Sequence, residues 1–269
     1  MCPRCICIRK DENMIVDQIK KITHQLRLFG IHEGMERRAT EAQSNNLDHL
    51  EFLRLLMEDE ALNRKDRVAK RLVTKARFRS NADIEDWDQT FDRGITKAKL
   101  HELSLGSFYH NNENLIILGK TGEGKTHLAI ALGRRLCHEN IKAAFFSLNL
   151  LFEEILSERA SGRYLSFIKK MNKVDVLILD DLGLRSYTHE EATTLTDILE
   201  ERYQKGSVIV TSQVDPRGWT KLFEDPVIAE AITDRLSHPS QKITLKGGSY
   251  REKLGSEQKT RKRKKGKDD

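Results

Sequence analysis

The octapeptide Gly119-Lys120-Thr121-Gly122-Glu123-Gly124-Lys125-Thr126 follows the apolar run Leu115-Ile116-Ile117-Leu118 and opens an apolar-periodic segment, His127 to Cys137. That order is strand, glycine-rich loop, helix. Glycines allow backbone to approach a phosphate closely, and a helix N-terminus presents converging N–H groups whose dipole favours an anion. Gly119 to Thr126, with His127 beside them, are therefore the expected nucleotide-binding residues. Lys125 reaches the β- and γ-phosphates, and the Thr126 hydroxyl supplies a magnesium ligand. The loop reads phosphates, not the base.

Composition narrows the setting. With 38% hydrophobic residues the chain of 269 can bury a core, while 33% charged residues leave little apolar surplus. No segment approaches the roughly 20 apolar residues that span a bilayer, and the N-terminus carries no apolar run of signal-peptide length, so the expected location is the cytoplasm. The net charge of +6 resides in the tail: residues 246–269 hold ten Lys/Arg against four Asp/Glu. Lys259 to Lys267 carries seven basic residues in nine. Such a run repels itself, and either solubilises the chain or condenses onto a polyanion.

Of the four cysteines, Cys137 falls on the helix after the phosphate loop as a core residue. Cys2, Cys5 and Cys7 form only half a metal site, because no second Cys/His pair follows at zinc spacing. Residues 1–13 are expected to be an unstructured extension.

Apolar residues then recur at helical spacing: Ile15, Ile19, Ile22 and Leu26; Leu47, Leu50, Leu53, Leu56 and Met57; Val68, Leu72, Val73 and Ala76. Residues 14–80 read as a small helical domain. Its last helix bears Arg64, Lys65, Arg67, Lys70, Arg71, Lys75, Arg77 and Arg79 against Asp66 alone, a face suited to DNA, with a merely solvated surface as the other reading. Residues 81–105 read as a linker in which Trp87 and Phe91 are packing anchors.

From residue 106 to 254 the pattern is α/β. Strands at Leu115–Leu118, Ala143–Leu148, Val174–Leu179, Ser207–Thr211 and Gln241–Leu245 alternate with helical segments, among them one begun by the capping box Thr188-x-x-Glu191 and one with Pro226 in its first turn. Alternation of this kind implies a parallel sheet with helices on both faces and a ligand at the carboxyl ends of the strands. The basic tail, 255–269, lies outside it.

Val176-Leu177-Ile178-Leu179-Asp180-Asp181 places two carboxylates where an apolar strand ends. Asp180 is the expected magnesium ligand and Asp181 the group that orients or deprotonates the attacking water. At the end of the next strand Gln213, rather than Ser212, is the polar group expected to reach the γ-phosphate or the water. Arg235, in Asp234-Arg235-Leu236, is the candidate finger donated to a neighbouring subunit's nucleotide; the other reading pairs it with a nearby acid.

Several runs together resemble one family: the phosphate loop, Leu179 to Leu184, Ile209 to Gln213, Asp225-Pro226, Ala231 to Leu236, and Lys246 to Arg251. The chain resembles the IstB family of transposition helper ATPases, related to the DnaC helicase loaders, over about residues 14–254. The resemblance implies a P-loop AAA+ ATPase using ATP and Mg2+, assembling as a homo-oligomer on duplex DNA, aiding target selection, and recruiting or stimulating a transposase. It supports Arg235 as the finger and Gln213 as the sensor, where relatives often carry Asn. Asp181 stands where many AAA+ enzymes have Glu, which implies slower hydrolysis, and Arg251 is the one candidate for a second sensor. The alternative within this resemblance is a helicase loader acting on single-stranded DNA. A small-molecule kinase would need an acceptor site, and none is presented.

Overall fold

The computed structural model describes residues 3–248, with side chains from residue 14 onward. The cysteine cluster's side chains, Arg251 and the basic tail lie outside the described residues. The chain divides into two compact units, residues 1–70 and 71–269.

The first unit is helical: α1 (Pro3–Gln25), α2 (Phe29–Asn45) and most of α3 (His49–Lys75). Three of the expectations change here. The backbone of residues 3–13 continues into α1 instead of forming an unstructured extension. The two apolar segments around Leu53 and Leu72 belong to one 27-residue helix, joined through a polar stretch that hides the periodicity. Arg77 and Arg79 lie beyond the end of that helix, and Arg77 has φ of 64°.

Helix α2 has too few apolar residues to show a periodic stripe. Ile31 and Met35 meet Leu56 in a small core, with Val16, Ile19, Leu28 and Phe52 against it. No side chain caps α2 from its own N-terminus. The Glu60 carboxylate of α3 performs that task across the helix pair, accepting the Gly30 N–H at 2.7 Å and the Ile31 N–H at 3.4 Å. Below it Arg38 forks onto Asp59 at 2.7 and 2.9 Å, and this guanidinium holds the Asp59 carboxyl below its ordinary range despite partial burial.

In the second unit, the segment expected as a linker joins the core. It contains the 3-10 turn Ile84–Asp86 and helix α4 (Lys97–Ser104), followed by the single turn α5 (Ser107–His110). Ala82, Trp87, Leu100 and Leu103 are buried against the sheet. Trp87 is thus the packing anchor the sequence suggested, while Phe91 is half-buried.

Five parallel strands follow: β1 (Asn114–Leu118), β2 (Ala143–Ser147), β3 (Val176–Leu182), β4 (Ser207–Ser212) and β5 (Ser240–Thr244), in the order β2-β3-β4-β1-β5. Strands β1 to β4 are almost continuously buried, as expected where helices cover both faces. Helix α6 (Lys125–His138) packs one face with α4. Helices α7 (Leu148–Ala160), α8 (Tyr164–Asn172), α9 (His189–Arg202) and α10 (Pro226–Ser237) pack the other. The break near Gly162 separates α7 from α8, at φ of 68°.

Arg202 ties the amino-end edge of this sheet. Its guanidinium, 3% exposed, donates to the carbonyls of Val174 (3.0 Å), Ser207 (3.1 Å) and Asp175 (3.2 Å), joining the residues that lead into β3 and β4. Burial pulls its pKa down to about 10, partly offset by the Asp175 charge. Replacing it removes these three bonds, and each buried acceptor left unsatisfied costs about 1–3 kcal/mol. Arg202→Leu is therefore expected to lower the unfolding free energy by about 3 kcal/mol or more, measured by denaturant titration.

Candidate functional site

The phosphate loop bends from the end of β1 into α6 through Gly122 and Gly124, at φ of 88° and 98°. A side chain at either position would be strained. Gly124 caps α6, whose first residue is Lys125. Lys125 Nζ spans the loop to the Lys120 carbonyl at 2.9 Å. The Glu123 side chain turns behind the loop: it is buried and accepts the Lys120 N–H at 2.5 Å. Its carboxylate is thus engaged within the loop itself.

The loop borders a cavity of about 500 Å³. Thr121, Gly122, Gly124, Lys125, Thr126 and His127 form one side; Asp181, Leu184 and Gln213 come from the other strand ends. The third wall is Ser80, Asp86 and Arg93, from the segment before the sheet. Sequence reasoning missed this wall. Arg93 is buried, donates to the Asp88 carbonyl at 3.0 Å, and stacks with its guanidinium carbon 3.4 Å from the Trp87 ring centroid. Trp87 in turn lies 6.0 Å from His127, whose pKa burial and then the Arg93 charge push down. The available signal was an aromatic and arginine cluster just upstream of the first strand.

Asp180 is fully buried at the end of β3. Its carboxylate accepts the Thr126 hydroxyl at 3.0 and 3.1 Å and the Thr211 hydroxyl at 2.6 Å. Burial pushes its carboxyl up; the Thr211 hydrogen bond opposes this, and the neighbouring Asp181 charge adds to it. A dehydrated carboxylate beside a threonine hydroxyl is a hard-oxygen donor set that suits Mg2+, so the residues present fit that ion. Gln213 is brought to the phosphate loop, its Oε1 accepting the Thr121 hydroxyl at 3.0 Å. Among the described residues no cluster of three His, Cys, Asp or Glu side chains forms a separate metal site, and no helix is long and apolar enough to cross a membrane.

Arg235 is not in this cavity. Its carbonyl accepts Asn114 Nδ2 at 2.9 Å, and Asn114 opens β1, whereas the phosphate loop follows that strand's other end. Its side chain pairs with Glu200 on α9 (Nε to Oε2, 2.7 Å) and borders a second cavity of about 400 Å³ with Arg202, Tyr203 and His238. The nearby acid foreseen as its other reading is thus Glu200.

The basic residues expected to meet DNA are variously engaged. Arg64 pairs with Glu60, Arg67 stacks on Phe29, and Lys70 pairs with Asp66. In the second unit Arg77 Nη1 donates to both Glu154 carboxylate oxygens and its guanidinium lies over Phe146. Lys65, Arg71 and Lys75 are exposed.

A five-stranded parallel sheet in this order, with a phosphate loop after β1, the strand between β4 and β5, and paired acids near the end of β3, defines a P-loop protein of the AAA+ class. Solved structures agree on the fold: DnaI superposes with a TM-score of 0.53 at 24% identity, over 63% of this chain and 90% of that one. AMPPCP-bound DnaA from Aquifex aeolicus gives 0.52 at 20%, over 63% of this chain and 51% of that one.

The chain belongs to the family of IstB-like ATP binding proteins, whose model matches residues 21–258. An insertion sequence ATP-binding protein of Sinorhizobium fredii is 34% identical over 83% of this chain and 91% of its own length. The ATP-binding protein of insertion sequence IS21 from Pseudomonas aeruginosa is 32% identical over 87% of this chain and 88% of its own.

A Cβ on Gly124 would stand 3.0 Å from Arg93 Nη1 and 3.5 Å from the Trp87 ring. Gly124→Ala should therefore strain the loop and displace the Arg93–Trp87 wall, weakening ATP binding roughly tenfold or more at a strain of about 1–3 kcal/mol. Equilibrium binding, with Trp87 fluorescence as reporter, checks this.

Proposed function

We propose that this protein is an ATP-hydrolysing helper of insertion-sequence transposition, which assembles on duplex DNA as a homo-oligomer, aids target selection and recruits or stimulates its partner transposase. The observation that carries the inter-subunit part is the position of Arg235. Five residues of β1, about 13–16 Å, separate its end of the sheet from the phosphate loop. A finger there serves a neighbour's nucleotide and not its own.

Within one site each group has a task. Loop N–H groups and Lys125 hold the phosphates. Thr126 and Asp180 would hold Mg2+, which when bound neutralises charge on the phosphate oxygens. Asp181, lining the cavity mouth, orients the attacking water or accepts its proton, and Gln213 stands by as the polar sensor. Arg235 from the adjacent subunit supplies positive charge as the γ-phosphoryl group leaves; such a finger contributes roughly 10³ to 10⁵ in rate. Asp86, Arg93 and His127 offer acceptors and donors to the base. The names of the relatives support the transposition setting, and the resemblance extends it to the cytoplasm and to a transposase partner. Arg64, Lys65, Arg67, Lys70, Arg71, Lys75 and Arg77 are proposed as phosphate contacts; those now paired with Glu60, Asp66 or Glu154 would exchange that partner for a DNA phosphate.

Lys125→Ala is expected to abolish ATP binding and ATP-dependent assembly. Arg235→Ala should leave ATP affinity within about twofold while cutting hydrolysis by roughly 10³. Equal loss of binding in both variants contradicts the finger role. Sedimentation with duplex or single-stranded DNA, in ATP, ADP and a non-hydrolysable analogue, tests the partner: ATP-dependent multimers on duplex support the helper, and a preference for single strands supports a helicase loader. Neutralising Arg71 and Lys75 should lower the salt slope of duplex binding by about 0.9 for each phosphate that is no longer neutralised.

A further inference from the structure

Strand β3 does not pair regularly with β4. Leu179 sits opposite Val210 and Leu182 opposite Ser212, so Asp180 and Asp181 together face the single residue Thr211. This is a bulge, with one extra residue on β3. Asp181 takes it up in the left-handed region, at φ of 67°, a conformation that side-chain-bearing residues rarely hold without support. Adjacent strand residues ordinarily point to opposite faces. The bulge breaks that alternation, leaving Asp180 buried toward Thr126 while Asp181 lines the cavity.

Two β4 hydroxyls stand in for the interrupted ladder. Thr211 is fully buried, and its hydroxyl has two partners: it donates to Asp180 Oδ1 at 2.6 Å and accepts the Asp181 N–H at 2.9 Å. Ser212, also fully buried, donates to the Leu182 carbonyl at 2.7 Å and accepts the Val214 N–H at 3.0 Å. On the far side of the bulge the Tyr187 hydroxyl accepts the Gly183 N–H at 3.1 Å. Ser212 and Tyr187 secure the turn's exit, whereas Thr211 touches both acids at once.

We propose that Thr211 is a positioning residue of the hydrolytic site: one hydroxyl fixes the Asp180 carboxylate beside Thr126 and locks the Asp181 backbone in the turn that directs its carboxylate into the cavity. Its effect on rate rests on the ATPase reading above, while its hold on Asp181 stands on the hydrogen bonds alone. Serine can make both bonds. Valine keeps the β-branched shape and makes neither.

The test compares Thr211→Val and Thr211→Ser with the unaltered full-length protein in three measurements. These are steady-state ATP hydrolysis, equilibrium binding of a non-hydrolysable ATP analogue with and without Mg2+, and amide hydrogen exchange across residues 178–184. Thr211→Val should lower kcat roughly 10- to 100-fold, as small misplacements of reacting groups do, with KM changed less than about threefold. It should reduce the gain in analogue affinity that Mg2+ provides and release protection at the Asp181 amide. Thr211→Ser should stay within about threefold of the unaltered protein in every measurement. If Thr211→Val does not fold, as judged by circular dichroism, Thr211→Ala takes its place with the same expected results. Unchanged kcat together with an unchanged Asp181 exchange rate overturns the proposal, as does an equal loss in the serine variant, which keeps the hydroxyl and would show that its two hydrogen bonds do not account for the effect. If the unaltered protein binds ATP but does not hydrolyse it, the ATPase reading fails, and the exchange comparison alone decides whether Thr211 holds the turn.

Discussion

A carboxylate removed from water imposes the strongest demand in this molecule. Asp180 is fully buried, and hydroxyls from Thr126 and Thr211 are its hydrogen-bond donors. Hydroxyl dipoles offset only part of the cost of dehydrating a charge. That cost makes the site a strong acceptor for a small hard cation, and it links three elements: the first turn of α6, the end of β3 and the end of β4. Displacing any of them disturbs the other two.

The surrounding architecture serves to keep those elements in register. The apolar runs of β1, β3 and β4 bury both faces of the sheet and bring the phosphate loop, the paired acids and Gln213 to one edge. At the opposite edge Arg202 gathers the carbonyls around the starts of β3 and β4, so that each strand is secured at both ends. The site then needs few polar contacts of its own, because rigid neighbours already determine where its side chains lie.

Much of this was legible in the sequence because its signals are local. The phosphate loop declares itself by glycines and a lysine within eight residues, and the strands by short apolar runs; α9 is announced by Thr188 and Glu191, whose capping contacts are present. What escaped was non-local or masked. The wall of Ser80, Asp86 and Arg93 depends on a guanidinium meeting an indole and then a loop some thirty residues later, which no periodicity encodes. Helix α2 is held by Glu60 from another helix and by few apolar residues, and α3 runs through a polar stretch without a break. Thr211 looked like an ordinary β-branched strand residue until the bulge opposite it came into view.

Arg235 stands at the foot of the strands and the phosphate loop at the head of β1, which on the proposed reading gives each subunit a direction. On the proposed reading, each subunit owns half of two different sites and the whole of neither. An open row of n subunits then completes n − 1 sites, and a closed ring completes n. Turnover per subunit becomes a gauge of row length, lowest for the shortest assemblies and levelling off as they grow. The terminal subunit with no finger against its nucleotide retains ATP longest, so the two ends of a row age differently.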